Sequence, residues 1–505
     1  MRAIEVASIF YAVALSTFLR CTWSQDADTV VHTSLGPVNG TRVSNPEAEA
    51  YLGIPFALPP VGPRRFRRPE PAVPWQGTFQ ATKFAPACYQ TVNYSHYPGD
   101  QMYAPRTTVS EDCLCLNIWV PVPRPTKAPV MVWLHSGSFV VGSTSMDMGD
   151  GKYLAAREKV VVVSLAYRLG IFGFFYLGHE SAPGNQGLHD QVLGLRWVQQ
   201  NIENFGGNPQ LVTLFGSGAG ATSISLHLLS PLSQNLFHRA IMQGGVTGPP
   251  MVGWQTETPV EAKRRALLYA FEYLYCPRNE DPLSIIACLN DLTNDDIISD
   301  QIFPYNSLIF RPCVDGAFLT SPPYESLSNG YIKKCPIIIG TTRNEGSWSV
   351  FQFSPEYLNL TDWTMNRDQF VVAMKRIFLY YPNYPIRTLM QFQEKVIELY
   401  TNRENQNDTY LNLAALDAAY ADAYFSCSRN EYASAYSRNN MDVYMFELTQ
   451  RYEMSPWPKW MGVVHGDDVY FVFGAPPAPG RDLTDEEHLL SRAMMHYWGN
   501  FARTG

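Results

Sequence analysis

Three short segments of the chain hold residue types that acyl-transfer chemistry uses. Glu345 lies in Asn-Glu-Gly and His465 lies in Val-His-Gly. A carboxylate followed along the chain by a histidine can activate a serine hydroxyl that precedes both. The segment in that place is the turn Gly-Ser-Gly-Ala-Gly at residues 216–220, and its central position is Gly218. The order of the three segments is that of a hydrolytic triad, but the position of the nucleophile carries no hydroxyl.

Ser217 is the hydroxyl-bearing residue nearest to that apex. A turn centred on Ser217 would need glycine at positions 215 and 219, where the chain has Phe215 and Ala219. Such a turn cannot close tightly around a nucleophile, because side chains would crowd its apex. We predict that Ser217 is not the nucleophile and that the turn is a structural elbow. Attack by a water molecule that His465 activates, or by an unorthodox nucleophile, stays open as an alternative.

Six short apolar runs must position these segments. They occupy residues 130–134, 160–165, 211–215, 240–242, 337–339 and 443–446. Residues 190–204 place apolar side chains at helical spacing, which predicts a crossover helix between the second run and the third. The pattern predicts an α/β fold, in which helices flank a large, mostly parallel, doubly wound sheet. Ligands bind at the carboxyl ends of the strands in such a sheet, so the three segments should meet there.

The composition predicts one globular domain over residues 25–505. Of the 505 residues, 46% are apolar and 17% are charged, and no linker, repeat or low-complexity tract divides them. The net charge of -8 includes no run of Lys or Arg, so we expect neither nucleic acid nor an anionic membrane surface as a partner. No Cys-x-x-Cys pair or His-rich spacing is present, so we predict no metal and no cofactor. A small molecule or another protein is the expected partner.

Several features indicate the secretory pathway. Residues 1–24 combine Arg2 with an apolar stretch and predict a signal peptide, with a buried N-terminal helix as the alternative. Nine cysteines without a metal-binding spacing fit an oxidising compartment. No later apolar run is long enough to span a bilayer. Four sequons predict N-glycosylation at Asn39, Asn93, Asn359 and Asn407.

Five further segments resemble the cholinesterase and type-B carboxylesterase family, and the similarity runs from about residue 35 onward. They are Tyr-Leu-Gly-Ile-Pro-Phe-Ala at 51–57, Arg-Phe-Arg-Arg-Pro-Glu-Pro at 65–71, Glu-Asp-Cys-Leu-Cys-Leu-Asn-Ile at 111–118, Asn-Gln-Gly-Leu-His-Asp-Gln at 185–191 and Tyr-Trp-Gly-Asn-Phe-Ala at 497–502. The resemblance implies an α/β-hydrolase fold. It aligns residues 216–220 with the family's Gly-Glu-Ser-Ala-Gly, so Gly218 stands at the nucleophile position. Glu345 and His465 stand at the positions of the acid and the base.

The resemblance also assigns the residues around the triad. Gly137, Ser138 and Ala219 stand at the three oxyanion-hole positions. The family has consecutive glycines after the first of the six apolar runs, whereas this chain has His-Ser-Gly-Ser at 135–138, so Ser136 and Ser138 are changes from the family pattern. We expect the N–H of Ser138 to remain available while its Cβ intrudes on the space of an acyl group.

The ligand pocket is changed as well, according to the same resemblance. Tyr103 stands where cholinesterases stack a quaternary ammonium on Trp, and its ring still offers a cation–π face. Ser217 replaces the acidic neighbour of the nucleophile, which removes a charge that would attract a cation. Trp348 matches an aromatic position of the family's gorge. The alternative is that Tyr103 and Trp348 are ordinary core aromatics.

The family pattern implies two disulfides. They join Cys88 to Cys113 and Cys276 to Cys288, and each closes a short loop. The family partner of Cys427 would lie beyond residue 505, as would the C-terminal helix that often builds the dimer. We therefore expect Cys427 to be unpaired and the chain to be incomplete at its C-terminus.

Three functions are compatible with these residues. The leading hypothesis is a secreted or cell-surface pseudoesterase that acts by protein binding, similar to cholinesterase-like adhesion ectodomains. The second is sequestration of a small ester or amine in the retained pocket. The third is an active carboxylic ester hydrolase of the acetylcholinesterase or carboxylesterase kind. Under the first two, Glu345 and His465 are a buried pair that is kept because each satisfies the other.

Overall fold

The computed structural model describes residues 29–91, 98–101, 103–248, 256–299, 310–353, 364–376, 386–474 and 483–505. The predicted signal peptide and the sequons at Asn93 and Asn359 lie outside the described residues. Asn407 is exposed and Asn39 is half-buried, and glycosylation at both stays a prediction. Among the described residues, no helix is both long enough and apolar enough to cross a membrane.

A nine-stranded sheet lies at the centre of the structure. Its strands are β1 Thr41–Val43, β2 Ala48–Pro55, β3 Cys115–Pro121, β4 Ala128–Leu134, β5 Val161–Leu165, β6 Gly207–Ser217, β7 Arg239–Gln243, β8 Ile337–Thr342 and β9 Val443–Leu448. They lie in the order β9-β8-β7-β6-β4-β5-β3-β2-β1. All pairings from β9 to β5 are parallel, and β3, β2 and β1 join as antiparallel strands at one edge. The mostly parallel sheet that the sequence predicts is confirmed.

Helices and short strands surround this sheet. The described helices are α1 Pro98–Gln101, α2 Lys152–Glu158, α3 Gly170–Phe174, α4 Gln186–Asn201, α5 Ala219–His227, α6 Pro259–Leu268, α7 Pro282–Asp291, α8 Asn294–Ile298, α9 Pro323–Ser328, α10 Glu345–Phe353, α11 Arg367–Arg376, α12 Ile386–Tyr400, α13 Thr409–Ala421, α14 Cys427–Arg438, α15 Asp467–Phe473 and α16 Asp485–Thr504. The short strands are Val30–Thr33, Gly36–Asn39, Phe79–Gln80, Ala87–Cys88, Val109–Ser110, Tyr176–His179 and Ala182–Pro183.

Both faces of the sheet are buried, which explains why its strands are continuous apolar runs. In β4, Val130, Val132 and Leu134 face one core cluster, and Met131 and Trp133 face the other. Helices α4 and α5 cover the first face, whereas α2, α15 and α16 cover the second. Each of these five side chains is at most 2% exposed. Burial of one such side chain stabilises the fold by about 1.5–3 kcal/mol.

The six predicted runs fall on strands of this sheet, although β5 begins at Val161, one residue after its run, and the crossover helix is present as α4. That helix begins at Gln186, four residues before its predicted start. Its first turn contains only one large apolar residue, Leu188, which is too few for apolar periodicity to reveal it. The Gln186 side chain is nevertheless buried, because its Nε2 donates to the carbonyl groups of Phe66 and Phe175 at 2.8 Å each.

Both predicted disulfides are confirmed. Cys88 pairs with Cys113, and Cys276 pairs with Cys288. Cys427 is exposed and free. The remaining described cysteines, Cys115, Cys313 and Cys335, are free as well.

Candidate functional site

The carboxyl ends of β4, β6 and β8 bring the predicted site residues together. Strand β6 ends at Ser217 and helix α5 begins at Ala219, so Gly218 alone forms the apex between them. Its φ of 53° and ψ of −116° are strained for a residue with a side chain. Such a sharp strand-to-helix turn is the geometry of a nucleophile elbow. Helix α5 starts three residues earlier than the position near residue 222 that the sequence suggests.

Two glycines allow the elbow to pack against β4. A Cβ on Gly216 would lie 2.7 Å from the Leu134 carbonyl oxygen. A Cβ on Gly220 would come within 3.0 Å of the same oxygen, closer than Cβ atoms approach non-bonded atoms. The glycines at both flanks are therefore required by close backbone approach, as the sequence predicts.

Glu345 and His465 form a buried pair beside the apex. Glu345 begins α10, and His465 precedes α15 by two residues. His465 Nδ1 is 2.5 Å from Glu345 Oε2, and Glu345 Oε1 accepts a 2.7 Å hydrogen bond from the Thr342 N–H. Both side chains are almost fully buried, with residue exposures of 1% and 5%. The carboxylate fixes the imidazole so that Nε2 faces the elbow, which is the orientation of a general base.

The space above the apex is already filled. A Cβ on Gly218 would lie 2.9 Å from His465 Nε2 and within 3.0 Å of Ser136 Oγ. The Ser136 hydroxyl thus sits beside the imidazole, in the volume that an elbow side chain would need. Sequence reasoning noted the change at residue 136 but missed this contact, because residues 136 and 218 come together only when β4 and β6 pair.

The loop after β4 supplies two of the predicted oxyanion donors. Gly137, Ser138 and Phe139 all have positive φ values, of 120°, 56° and 64°. A Cβ on Gly137 would come within 3.0 Å of the Val141 carbonyl oxygen, so glycine is required there. Ser138 occupies a left-handed conformation that glycine adopts more readily. Ala219 begins α5, so its N–H has no carbonyl one turn earlier in the helix.

Aromatic side chains surround the imidazole of His465. The ring centroid of Trp348 lies 5.3 Å from that of His465, and the ring centroid of Phe425 lies 5.0 Å from it. Tyr103 Oη donates a 3.3 Å hydrogen bond to the His465 carbonyl. The structure therefore brings Tyr103 and Trp348 to the site, as the resemblance implies. Phe425 was missed, because no local motif marks it.

Comparison with known proteins agrees with this fold. The model of the carboxylesterase family matches residues 27–505. The chain is 41% identical to an acetylcholinesterase of Bungarus fasciatus over 94% of this chain and 78% of that protein. It is 39% identical to an acetylcholinesterase of Danio rerio (97% and 82%) and 38% identical to a cholinesterase of Mus musculus (95% and 79%). The chain belongs to the carboxylesterase family. Its nine-stranded sheet is that of an α/β-hydrolase.

Within this carboxylesterase-family fold, Ser217 is a poor candidate for chemistry. The residue is fully buried, at 0% exposure, and its Oγ has no hydrogen-bond partner among the described residues. It lies within the ladder of β6, where it pairs with Gln243 of β7. A strand position below the apex cannot present a hydroxyl to a substrate as the apex does.

Two further buried acids, Asp467 and Asp468, lie close to the site. Burial raises the pKa of Asp467 to about 8, although a hydrogen bond from the Val464 N–H lowers it. Burial likewise raises the pKa of Asp468 to about 6, against the effect of its hydrogen bond from Gln243. Within the described ranges, no group of three or more His, Cys, Asp or Glu side chains could hold a metal ion.

The pKa of His465 is raised for a different reason. Burial lowers this pKa, but the negative charge and hydrogen bond of Glu345, with the charges of Asp468 and Asp467, outweigh that effect. His465, Asp467 and Asp468 therefore all hold a proton more tightly in the folded chain than in the unfolded chain. The folded state carries the extra protons between about pH 4 and pH 8, so the free energy of unfolding falls as pH rises through that range.

We predict that Asp467→Asn makes the free energy of unfolding less dependent on pH. The amide mimics the protonated carboxyl. The slope of the free energy of unfolding against pH should therefore become shallower by up to about 1.4 kcal/mol per pH unit between pH 5 and pH 8. Urea unfolding at each pH gives this slope. Asp485→Asn removes an exposed carboxylate and serves as the control for one lost charge. An unchanged slope in Asp467→Asn would contradict the prediction.

Proposed function

We propose that this protein is a secreted, cholinesterase-like member of the carboxylesterase family that binds a small ester or quaternary amine without hydrolysing it at the elbow. The observation that carries this proposal is the apex of the turn at residues 216–220. Gly218 has no hydroxyl, and Ser136 with His465 fills the space where a side chain would project. An acyl-enzyme cannot form at that position.

The size of the expected defect supports a binding role. In a serine protease, loss of the nucleophile alone lowers turnover by about a million-fold, and the remaining rate depends on the oxyanion hole and on substrate binding. Here the oxyanion loop is altered too, since Ser138 replaces a glycine of the family pattern. The Glu345–His465 pair then acts as a buried, hydrogen-bonded support for the site.

The aromatic side chains supply the means of binding. Tyr103, Trp348 and Phe425 lie around His465, and rings of this kind attract a cation over their faces. The named cholinesterase relatives support a choline-like ligand as the first candidate. Secretion is supported by the predicted signal peptide and sequons, and two disulfides fit an oxidising compartment.

Turnover of acetylthiocholine and p-nitrophenyl acetate tests the proposed absence of elbow catalysis. We expect the purified protein to show no steady-state turnover that depends on His465, so the protein and its His465→Gln variant should give the same steady-state rate. The proposal would be overturned if the protein hydrolysed acetylthiocholine at a rate no more than about a thousandfold below that of a working serine esterase and if His465→Gln abolished that rate.

Binding is tested separately with tetramethylammonium. We expect the cation to raise the melting temperature of the protein. Tyr103→Ala and Trp348→Ala should each weaken the apparent affinity by about threefold to thirtyfold, the range of one cation–π contact. Tyr331→Ala removes an aromatic ring that is 72% exposed and serves as the matched control. A melting temperature that tetramethylammonium leaves unchanged would contradict the proposed binding of a quaternary amine.

A further inference from the structure

We propose that Ser136 is a covalent acceptor of phosphoryl and acyl groups from reactive esters. This goes beyond the proposed function, because it assigns to the same pocket a nucleophile that follows β4 and not the elbow that follows β6. The starting observation is positional. Ser136 Oγ and His465 Nε2 both lie within 3.0 Å of the point where a Cβ on Gly218 would stand. A hydroxyl and an imidazole have therefore been brought together without the elbow serine.

The base beside Ser136 is equipped to take its proton. His465 Nδ1 is bonded to Glu345 Oε2 at 2.5 Å, which leaves Nε2 as the nitrogen that faces the hydroxyl. Glu345 is held by the Thr342 N–H in turn. A hydroxyl, a base and a group that orients the base are the three parts that activate a serine. The two groups share the space above Gly218 without a direct hydrogen bond in this structure, and such catalytic hydrogen bonds commonly form or tighten only when substrate is bound.

The loop that carries Ser136 is held firmly in place. The Ser136 carbonyl accepts a 2.9 Å hydrogen bond from His135 Nδ1, and burial lowers the pKa of His135 to about 4, so this ring is neutral at pH 7. The His135 ring stacks on Tyr167 with centroids 4.3 Å apart. The N–H of Gly142 donates to Gln90 Oε1 at 2.8 Å. These contacts fix the backbone that presents the Ser136 hydroxyl.

The proposal assigns the oxyanion donor to the residue that follows the nucleophile. In an elbow, the N–H of the residue after the serine points at the developing oxyanion. Gly137 follows Ser136 along the chain with a φ of 120° and stands at one of the family's oxyanion-hole positions, so its N–H is the candidate donor. Ser136 is 8% exposed, so its hydroxyl lies in a largely dry site where such a donor acts strongly.

The proposed step with diisopropyl fluorophosphate is a simple displacement. An electron pair of Ser136 Oγ forms a bond to phosphorus while the phosphorus–fluorine bond breaks, and the pair of that bond leaves with fluoride. His465 Nε2 takes the hydroxyl proton, and Glu345 stabilises the resulting imidazolium. The reagent carries a good leaving group, whereas choline leaves poorly. Ser136 can thus be labelled in a protein that does not turn over choline esters.

Labelling with diisopropyl fluorophosphate, followed by mass spectrometry of the intact chain and its peptides, tests this step. We expect one diisopropylphosphoryl group per chain, mapped to Ser136. Ser136→Ala and Ser136→Gly should both lose the label, and His465→Gln should slow labelling at least about a hundredfold, the contribution of a general base. Ser328→Ala removes an exposed hydroxyl on α9 and should label like the unchanged protein.

Each outcome decides the assignment. Labelling at residue 217, at a tyrosine, or at no residue would overturn it, as would a label that survives in both Ser136 variants. Ser136→Gly is included because glycine is the residue of the family pattern and keeps the loop free of a new side chain. The turnover assay separates the two proposals. A labelled Ser136 without acetylthiocholine turnover supports both, whereas an unlabelled and inactive protein overturns this inference and leaves the binding function intact.

Discussion

Gly218→Ser alone is expected to restore little hydrolysis of p-nitrophenyl acetate, whereas Gly218→Ser combined with Ser136→Gly is expected to act at least about a hundredfold faster. The reason is the crowding above the elbow. A Cβ at position 218 comes within 3.0 Å of Ser136 Oγ, so the new side chain and the Ser136 hydroxyl compete for one place beside His465 Nε2. A displacement of about 1 Å at a reacting atom costs about a hundredfold in rate.

The experiment compares kcat/KM for four proteins: the unchanged chain, each single variant and the double variant. Ser136→Gly alone supplies no hydroxyl at the elbow and should stay inactive. Melting temperatures control for folding, because position 218 has a φ of 53° that strains any residue with a side chain. Equal rates for Gly218→Ser and the double variant would show that the Ser136 hydroxyl moves aside without cost, and the crowding argument would then be wrong.

Removal of Glu345 is expected to destabilise the protein strongly. We predict that Glu345→Ala lowers the free energy of unfolding by about 3–5 kcal/mol, the cost of leaving one member of a buried pair unpaired. Two groups lose their partner at once, since Glu345 accepts from Thr342 N–H as well as from His465 Nδ1. Urea unfolding at pH 7 measures the loss.

Glu345→Gln is the matched control for this prediction. The amide oxygen can still accept from the Thr342 N–H, and the side chain keeps its volume, so the loss should be less than half that of Glu345→Ala. His465→Gln, made alone and together with each Glu345 variant, completes a double-mutant cycle. The cycle isolates the coupling free energy between the two side chains. If Glu345→Ala unfolds at the same urea concentration as the unchanged protein, the pair does not support the fold.

The stability of Glu345→Ala and the labelling of Ser136 together bear on why Glu345 and His465 persist beside an apex without a hydroxyl. A large stability loss means that the Glu345–His465 pair is retained by the fold itself. A labelled Ser136 means in addition that the pair still activates a hydroxyl. The two explanations are compatible, because one buried hydrogen bond can serve both roles.

Much of the fold could be predicted from local pattern. The runs at residues 130–134 and 337–339 are apolar on every residue because both faces of their strands are covered, and such runs are visible without coordinates. The elbow could be recognised because Gly216 and Gly220 must approach the backbone of Leu134. Polar segments were harder, and the start of α4 at Gln186 was missed because its buried amide is held by two distant carbonyl groups.

The sequence by itself determined that the chain folds as an α/β-hydrolase, that Gly218 stands at the apex, that Glu345 and His465 lie near it, and that two disulfides form. The sheet and the elbow follow from the order and spacing of residues along the chain, whereas the disulfide pairs and the positions of Glu345 and His465 follow from the resemblance to the cholinesterase family. Only the tertiary structure decided that Ser136 fills the space above Gly218 and that Phe425 lies against His465. Such contacts join residues far apart in sequence, and their distances depend on how strands pair and side chains pack, which no local spacing specifies.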